Sequence, residues 1–320
     1  MKIIKPYAEI VDDINGQDIL QKIEKCGRVC YKSEGKICDG SAEKFVANII
    51  KRGHEAVLEH GSFIFKFPLS FYYDTIRVIN ELEEDECGFL SFLRFTNDKK
   101  PIVSGNVRAW RSFFKTLVEV KGVIPIEFEE FIRNNPILFP EFSDVEYNGK
   151  IYIRTEPLDV TDLETENEKL THQDMTVKFV VDRGVSHEIV RHRIASYCQE
   201  STRYCNYIKD DFGSEITVIQ PYYMVDSISY KTWVKAMQSC ENTYFELLNI
   251  SLTPQEARTV LPNSLKTEVV MTANLREWRT FFKLRTPAAA HPQMREVTRP
   301  LLDKFKQLIP VVFDDIVYEE

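Results

Sequence analysis

Residues 175–203, MTVKFVVDRGVSHEIVRHRIASYCQESTR, carry the most informative pattern in the chain. The first seven residues are mostly apolar and rich in β-branched side chains, which is typical of a buried strand. Ser186 is a good helix N-cap, so we predict a helix from there to about Ser196. Further along, the pattern predicts a strand over 267–273 and a helix over 275–284. Because strands and helices mix in this way, the sequence indicates an α/β or α+β fold.

The second half of this stretch is the densest polar cluster in the chain. Residues 191–204, RHRIASYCQESTRY, begin with an Arg-His-Arg triplet whose side chains would fan around the predicted helix, about 100° apart. Ser201 and Arg203 would follow on a loop, where backbone N–H groups can bind a phosphate. Arginine suits this task because its planar guanidinium grips phosphate with two hydrogen bonds. The alternative is a solvated basic helix end, with its arginines paired to Glu188 and Glu200.

The bulk composition limits the classes of partner. The chain has 320 residues, is 43% hydrophobic and carries a net charge of −8. That length suits one large domain or two small fused ones. An acidic chain is a poor binder of nucleic acid polymers, so a local cationic cluster favours a small anion. We find neither an apolar run of about 18 residues nor a secretory signal, and therefore expect no membrane association and a cytoplasmic protein.

The cysteines and histidines give little support for a metal site. The chain has seven scattered cysteines and no CxxC pair, so we expect reduced thiols and no bound metal. Two degraded HExxH strings, at 54–60 and 187–192, space their histidines by six and five residues. A helical zinc pair needs a spacing of four. A zinc hydrolase and a nucleic-acid-binding module remain the rival interpretations.

One sequence is repeated within the chain. Residues 106–115 read NVRAWRSFFK and residues 274–283 read NLREWRTFFK, with seven of ten positions identical. Two interpretations are open. The repeat is either a duplicated structural unit or two amphipathic helices that share a pattern by chance.

The polar cluster also resembles the signature of flavin-dependent thymidylate synthases, RHRxxSxxxxSxR. Its fixed positions are Arg191, His192, Arg193, Ser196, Ser201 and Arg203. Residues 53–65, GHEAVLEHGSFIF, resemble the N-terminal element of that family, and residues 258–295 resemble its C-terminal element. The likeness covers about 41–67 and 175–310. We therefore expect one domain over 1–320, with an enlarged insertion at about 68–174 to which we assign no function.

The resemblance implies a complete activity. Members of that family are methyltransferases that convert dUMP to dTMP. They take the carbon from methylenetetrahydrofolate and the hydride from FAD, which NADPH reduces. The implied fold is a mixed sheet with flanking helices, assembled into a homotetramer with active sites between subunits. The family needs no cysteine nucleophile, so Cys198 and Cys205 are expected to have no catalytic role.

The resemblance also implies roles for individual residues. Those implied for dUMP are Glu188, Arg191, Gln199, Glu200, Ser201, Thr202, Arg203, Arg258 and Arg285. Those implied for FAD are His54, Ala56, Arg191, His192, Arg193, Gln199, Asn274, Leu275, Arg276 and Thr280. Arg285 is the implied catalytic residue, because it would stabilise negative charge on the uracil ring. The positions that depart from the family pattern, and weaken those single contacts, are Ala56, Glu188, Gln199 and Thr280.

Overall fold

The computed structural model describes residues 1–11, 18–70, 92–97, 101–148, 156–203, 207 and 214–319. The strands are β1 (Lys2–Ile4), β2 (Tyr7–Ile10), β3 (Ser62–Lys66), β4 (Arg94–Thr96), β5 (Ile102–Asn106), β6 (Ile124–Pro125), β7 (Tyr147–Asn148), β8 (Glu156–Pro157), β9 (Asp174–Asp182), β10 (Ser196–Gln199), β11 (Thr217–Ile219) and β12 (Lys266–Asn274). The helices are α1 (Ile19–Tyr31), α2 (Ser41–Lys51), α3 (Val107–Lys121), α4 (Glu129–Asn134), α5 (Glu166–His172), α6 (Arg183–Ile189), α7 (Ser227–Asn249), α8 (Pro254–Ala257), α9 (Leu275–Arg285), α10 (Pro292–Leu308) and α11 (Pro310–Phe313).

Two four-stranded sheets organise these elements. One has the order β10-β12-β9-β2 and the other β4-β5-β3-β8, and every pairing in both is antiparallel. Parallel pairing occurs in the short pairs β1-β11 and β6-β7. The prediction of a mixed helix-and-strand fold is confirmed, but each larger sheet is antiparallel rather than mixed.

Each larger sheet is covered by an aromatic core. Trp278, Phe281 and Phe282 of α9 pack on β9 and β12 together with Phe305 of α10. On the other sheet, α3 buries Trp110, Phe113 and Phe114 against Phe65 of β3. Aromatic side chains bury large areas and prefer edge-to-face contacts, so these clusters fix how each helix sits on its sheet.

The two copies of the repeated sequence adopt the same local structure. In each copy a strand ends in an asparagine, Asn106 of β5 or Asn274 of β12, whose side chain accepts a hydrogen bond from the helix that follows. Trp110 and Trp278 each donate their indole N–H to a carbonyl of the paired strand, at 3.3 and 3.0 Å. Asparagine is favoured as an N-cap because it satisfies an N–H that the helix leaves unpaired.

The correspondence continues through the arginine of each copy. Arg111 pairs with Glu141 at 2.8 Å, and Arg279 pairs with Asp315 at 2.6 Å. Each arginine also donates to a backbone carbonyl three residues before its carboxylate partner. The shared contacts therefore extend from the strand through the helix to a later segment, which favours the duplicated-unit interpretation.

A pair of histidines joins the two copies reciprocally. His60, just before β3, is hydrogen-bonded to Thr272 of β12 at 2.7 Å. His172, just before β9, is hydrogen-bonded to Ser104 of β5 at 2.7 Å. Each histidine thus reaches the strand of the other copy. The described part of the predicted insertion, which contains β5 and α3, is therefore packed against the sheet that carries the arginine-rich motif.

Candidate functional site

The arginine-rich motif lies in a turn between a short helix and an edge strand. Helix α6 begins at Arg183 because Asp182 caps it, accepting from Val185 N at 2.9 Å. It ends at Ile189, and Ser196 already pairs with β12. The predicted helix, from near Ser186 to about Ser196, is present, but both of its predicted bounds were wrong because α6 spans Arg183–Ile189. Strand pairing with β12 overrides the local helical pattern, as tertiary context often does.

The turn contains a strained residue and is held by a partly buried tyrosine hydroxyl. Ile194 has a φ of 61°, which a β-branched side chain adopts only under constraint. The Tyr197 hydroxyl donates to the carbonyls of Ile189 and His192, at 3.0 and 2.9 Å. Burial raises the pKa of Tyr197, so this donor stays protonated. The turn exposes Arg191 and Arg193 and directs His192 inward.

Three predicted site residues meet behind this turn. Arg285, the last residue of α9, donates Nε–H to His192 Nε2 at 2.8 Å and Nη1–H to Glu188 Oε2 at 2.7 Å. Its Nη2–H donates to the Glu188 carbonyl at 3.1 Å. Thr298 of α10 donates its hydroxyl to the Arg285 carbonyl at 2.9 Å. The bonds to His192 and Glu188 use three of the five N–H donors of the Arg285 guanidinium. The guanidinium is therefore held in position and still has donors for another ligand.

His192 is neutral in this arrangement. Burial and the adjacent Arg285 cation lower the pKa of His192 to about 4. A neutral ring can accept the Arg285 Nε–H bond, whereas an imidazolium could not. The ring also packs edge-on against Phe281 of α9, with centroids 4.8 Å apart.

A second group forms where the motif ends. Arg258 donates to the Thr202 hydroxyl at 3.2 Å, and the backbone N–H of Arg203 donates to Ser201 Oγ at 3.3 Å. Both arginines are exposed, whereas Thr202 is buried. The Arg258 guanidinium thus lies next to the Thr202 hydroxyl, with the exposed Arg203 adjacent in sequence, and guanidinium and hydroxyl groups are donors that suit a phosphate.

The predicted dUMP residues on β10 and just after it are anchored to β12. Gln199 donates to the hydroxyls of Ser186 and Thr267, at 3.1 and 3.2 Å. Glu200 pairs with Lys266 at 2.7 Å. Glu200 and Glu188 therefore pair with cations outside the motif, and the alternative that they neutralise its arginines does not describe this structure.

Lys266 links Glu200 to a further buried carboxylate. It also pairs with Glu268 at 2.7 Å, and Lys32 of α1 contacts Glu268 as well. Burial alone raises the pKa of Glu268, but Lys266 and Lys32 outweigh it and lower that pKa to about 2. One oxygen of Glu200, Oε1, is buried without a hydrogen-bond partner. Lys266 and Lys32 were not predicted as site residues, because they come from segments distant from the motif.

The predicted flavin residues of α9 differ from their counterparts in α3 in charge balance. Arg276 donates to Asn167 at 2.8 Å and to the Thr171 hydroxyl at 2.9 Å, both neutral groups. Its counterpart Arg108 is paired with Glu59 at 2.8 Å. An arginine held by neutral oxygens keeps its charge available for an anion, so this contrast favours the second copy as the ligand-binding one.

The other predicted residues of α9 have structural partners. Asn274 caps the helix and donates to the Thr171 carbonyl at 3.0 Å. Leu275 is fully buried in the core, so its side chain points away from any ligand. Thr280 is exposed and donates to the carbonyl of Arg276 at 3.3 Å.

The predicted N-terminal site residues lie at the end of α2. His54 and Ala56 are exposed, and the Tyr31 hydroxyl is hydrogen-bonded to His54 Nδ1 at 2.8 Å. Tyr31 was not predicted, because the sequence alone gives no sign that it faces His54.

Cys198 of β10 has an unreactive, protonated thiol. Its hydrogen bond with Cys30 and its burial raise the pKa of the Cys198 thiol well above the ordinary value. Cys205, also expected to have no catalytic role, lies outside the described residues.

The sequence pattern of the family described as thymidylate synthase complementing protein matches residues 10–73 and 166–311. The chain belongs to that family. The resemblance to flavin-dependent thymidylate synthases is thereby confirmed at the level of the family. The unmatched stretch between the two parts falls within 68–174, where we expected an insertion.

Several curated relatives of the chain carry the name flavin-dependent thymidylate synthase. The one from Geobacter sulfurreducens is 34% identical over 135 residues, which are 42% of this chain and 57% of the relative. The one from Pyrococcus furiosus is 37% identical over 123 residues, 38% of this chain and 50% of the relative. The chain thus spans about half the length of the curated relatives it matches.

A solved structure overlaps most of the chain loosely. It is a UMP/dUMP methylase, PolB from Streptomyces cacaoi, bound with 5-Br dUMP. It covers 98% of this chain and 96% of its own, at a TM-score of 0.42 and 14% identity. Overlap at this level bears on neither the fold nor the substrate of this family member.

Two further properties concern the described residues of this family member. No group of three or more His, Cys, Asp or Glu side chains among them is placed to hold a metal ion. Within the same ranges, no helix has both the length and the apolar character needed to cross a membrane.

Proposed function

We propose that the protein is a flavin-dependent thymidylate synthase. It methylates dUMP to dTMP with methylenetetrahydrofolate as the carbon donor and with FAD, reduced by NADPH, as the hydride donor. The observation that carries this proposal is the Arg285–Glu188–His192 cluster, formed behind the turn of the RHRxxSxxxxSxR motif. Family membership and the names of the relatives support it.

The proposed dUMP site uses both groups of the motif. The cationic and hydroxyl donors at the end of the motif suit the nucleotide phosphate. They are Ser201, Thr202, Arg203 and Arg258. Arg191, Gln199 and Glu200 complete the proposed contacts with the nucleotide. Arg285 lies beside the uracil and stabilises the charge that develops on its ring during methylation.

The contacts of Arg285 support the electrostatic role that we propose for it. Glu188 and the neutral His192 hold its guanidinium in one orientation without reorganisation, which is what makes such stabilisation effective. Because the pKa of His192 is lowered to about 4, the ring adds no second positive charge near pH 7. Glu188 Oε2 lies 2.7 Å from Arg285 Nη1 and orients the guanidinium.

The donor set also fits a flavin dinucleotide. Arg276 keeps its charge available for a pyrophosphate, since its hydrogen-bond partners there are neutral. Arg191 and Arg193 are exposed, so they are accessible to the same ligand. We assign His54, Ala56, His192, Gln199, Asn274 and Thr280, with the backbone of Leu275, to the same cofactor. The flavin supplies the hydride when bound, while the protein supplies binding, orientation and charge.

We further propose a cytoplasmic homotetramer with active sites shared between subunits. Arg276 is the second residue of α9 and Arg285 is the last, so they lie about 14 Å apart along the helix axis. That separation suits two different contacts, with Arg276 serving a neighbouring subunit's flavin. Each chain would be one domain over 1–320 with its insertion at about 68–174.

The proposal is tested by product formation. Purified protein is incubated with FAD, NADPH, methylenetetrahydrofolate and dUMP, and dTMP is measured by chromatography. We expect dTMP only when all four are present. The proposal fails if the protein binds no FAD and forms no dTMP, or if NADPH is oxidised without any nucleotide product.

A further inference from the structure

A cationic cavity of about 480 Å³ lies between α1 and α2, away from the motif. Its lining residues fall into three kinds. The cations are Arg28, Lys36, Lys44 and Arg52. The uncharged polar residues are Ser33, Ser41 and Asn48, and the aromatic or apolar ones are Tyr31, Phe45 and Ile49. None of the described residues that line it is acidic.

The charge of this cavity is unusual for the chain that carries it. Arg28 is buried and pairs with Glu24 at 2.5 Å, so it is largely neutralised. Lys36, Lys44 and Arg52 are exposed, and no ion pair joins them to a described carboxylate. In a protein of net charge −8, three such cations around one cavity create a local positive potential.

The cavity adjoins the proposed flavin site through His54. Tyr31 lines the cavity and its hydroxyl is hydrogen-bonded to His54 at 2.8 Å. On the other side, α2 ends at Lys51, Arg52 follows as its C-cap, and Gly53 turns the chain with a φ of 69°. A molecule that reached the His54 ring could therefore extend into the cavity without crossing the protein core.

We infer that this cavity binds the anionic tail of a co-substrate of the flavin site. This inference rests on the proposed function. Two co-substrates of that reaction carry such a group: the glutamate carboxylates of the folate and the 2′-phosphate of NADPH. Both accept hydrogen bonds from lysine and arginine, and Tyr31 and Phe45 add apolar surface for a ring attached to the tail. The volume lies within the usual range for small-molecule sites, about 300–1,000 Å³.

The test compares charge reversals inside and beside the cavity. Lys44→Glu places a carboxylate in the lining, whereas Lys51→Glu places one on an exposed position of the same helix outside it. Lys44→Gln is the milder companion, which removes the charge without adding a new one. Circular dichroism and bound FAD show whether each variant is folded.

The first readout is equilibrium binding, which does not require turnover. Folate monoglutamate, folate polyglutamate, NADPH and NADH are each titrated into the FAD-loaded protein. We expect Lys44→Glu to weaken binding of the co-substrate that uses the cavity about tenfold or more, with Lys44→Gln in between, because the new carboxylate repels an anionic tail and the lysine donor is lost. Lys51→Glu should bind like the unchanged protein.

The four ligands distinguish the folate tail from the NADPH 2′-phosphate as the occupant of the cavity. A loss that is larger for folate polyglutamate than for monoglutamate assigns the cavity to the folate tail. A loss for NADPH but not NADH assigns it to the dinucleotide phosphate. Equal binding of all four ligands by Lys44→Glu and Lys51→Glu overturns the inference, even where the unchanged protein makes dTMP. Absence of dTMP with intact cavity-dependent binding would instead count against the proposed function.

Discussion

At the scale of single residues, the contacts of Arg285 are the main support for the proposed stabilisation of charge on the uracil ring. Its three hydrogen bonds to Glu188 and His192 fix the guanidinium plane, and Thr298 fixes its backbone carbonyl. Lysine can replace the charge but not this planar set of donors. Arg285 therefore provides a test in which charge and geometry can be separated.

We expect Arg285→Ala to lower the rate of dTMP formation about 10²–10³-fold, the usual cost of removing one donor that stabilises developing charge. Arg285→Lys should fall between this variant and the unchanged protein. Lys283→Ala, at an exposed position of the same helix, is the control and should be fully active. Normal turnover by Arg285→Ala would remove the role we assign to Arg285.

His60 links the pH dependence of stability to the contact between the two repeat copies. Burial, with a smaller effect of Lys22, lowers the pKa of His60 from 6.5 to about 3. The unfolded chain therefore binds a proton between these values that the folded chain does not. The contribution of His60 to stability is full above pH 6.5 and is lost as the pH falls toward 3.

We expect the free energy of unfolding to fall below pH 6.5, by at most about 1.4 kcal/mol per pH unit from this group. His60→Gln retains a polar side chain near Thr272 but cannot titrate, so its pH slope should be shallower. Urea unfolding at a series of pH values measures both slopes. His187→Gln, at an exposed position, should keep the original slope; an unchanged slope in His60→Gln would contradict the assignment.

At the scale of elements, the two strand–cap–helix units share contacts but differ in the charge around one arginine. Glu59 neutralises Arg108, whereas Asn167 and Thr171 leave the charge of Arg276 uncompensated by a carboxylate in these contacts. The first copy thus uses its arginine in an ion pair between segments. We propose that the second copy keeps the same arginine for a ligand.

This difference gives a matched pair of variants. We expect Arg276→Ala to raise the Kd for FAD about tenfold, consistent with a charged hydrogen bond worth about 1.5–3 kcal/mol. Arg108→Ala should lose some stability but bind FAD normally. Fluorescence titration of FAD measures both affinities. Equal losses in the two variants would contradict the assignment of the flavin site to the second copy.

The elements also show which features the sequence could predict. The strand at 267–273 and the helix at 275–284 were predicted because their hydrophobic patterns are local. The end of α6 was not, since it depends on Ser196 pairing with a distant strand. The sequence also carries a second sign of the repeat, since residues 136–139, PILF, and 310–313, PVVF, occupy equivalent places after α3 and α9.

The candidate site was predictable to a similar extent. The motif residues and Arg285 followed from a dense local pattern and a family resemblance. Lys266, the partner of Glu200, and Tyr31, the partner of His54, did not, because each comes from another segment of the sequence. Local patterns identify which residues carry the chemistry, whereas the packing of distant strands decides which groups orient them.

At the scale of the whole molecule, the proposed tetramer predicts that two defective chains can repair each other. If Arg285 and Arg276 serve sites through different subunits, a mixture of Arg285→Ala and Arg276→Glu chains will contain some sites with both arginines intact. Random assembly in equal amounts leaves about a quarter of the sites complete. We expect the refolded mixture to regain activity that neither variant has alone, and no recovery would mean that each chain builds its own site.

The central claim is that the arginine-rich turn holds dUMP against a flavin, and the visible spectrum of the bound flavin tests this directly. FAD-loaded protein is titrated with dUMP, and the flavin absorbance is followed for the unchanged protein and for Arg285→Ala. We predict a saturable spectral change in the unchanged protein that is strongly weakened in Arg285→Ala while FAD remains bound. A flavin spectrum that does not respond to dUMP, or responds equally in both proteins, would contradict the claim.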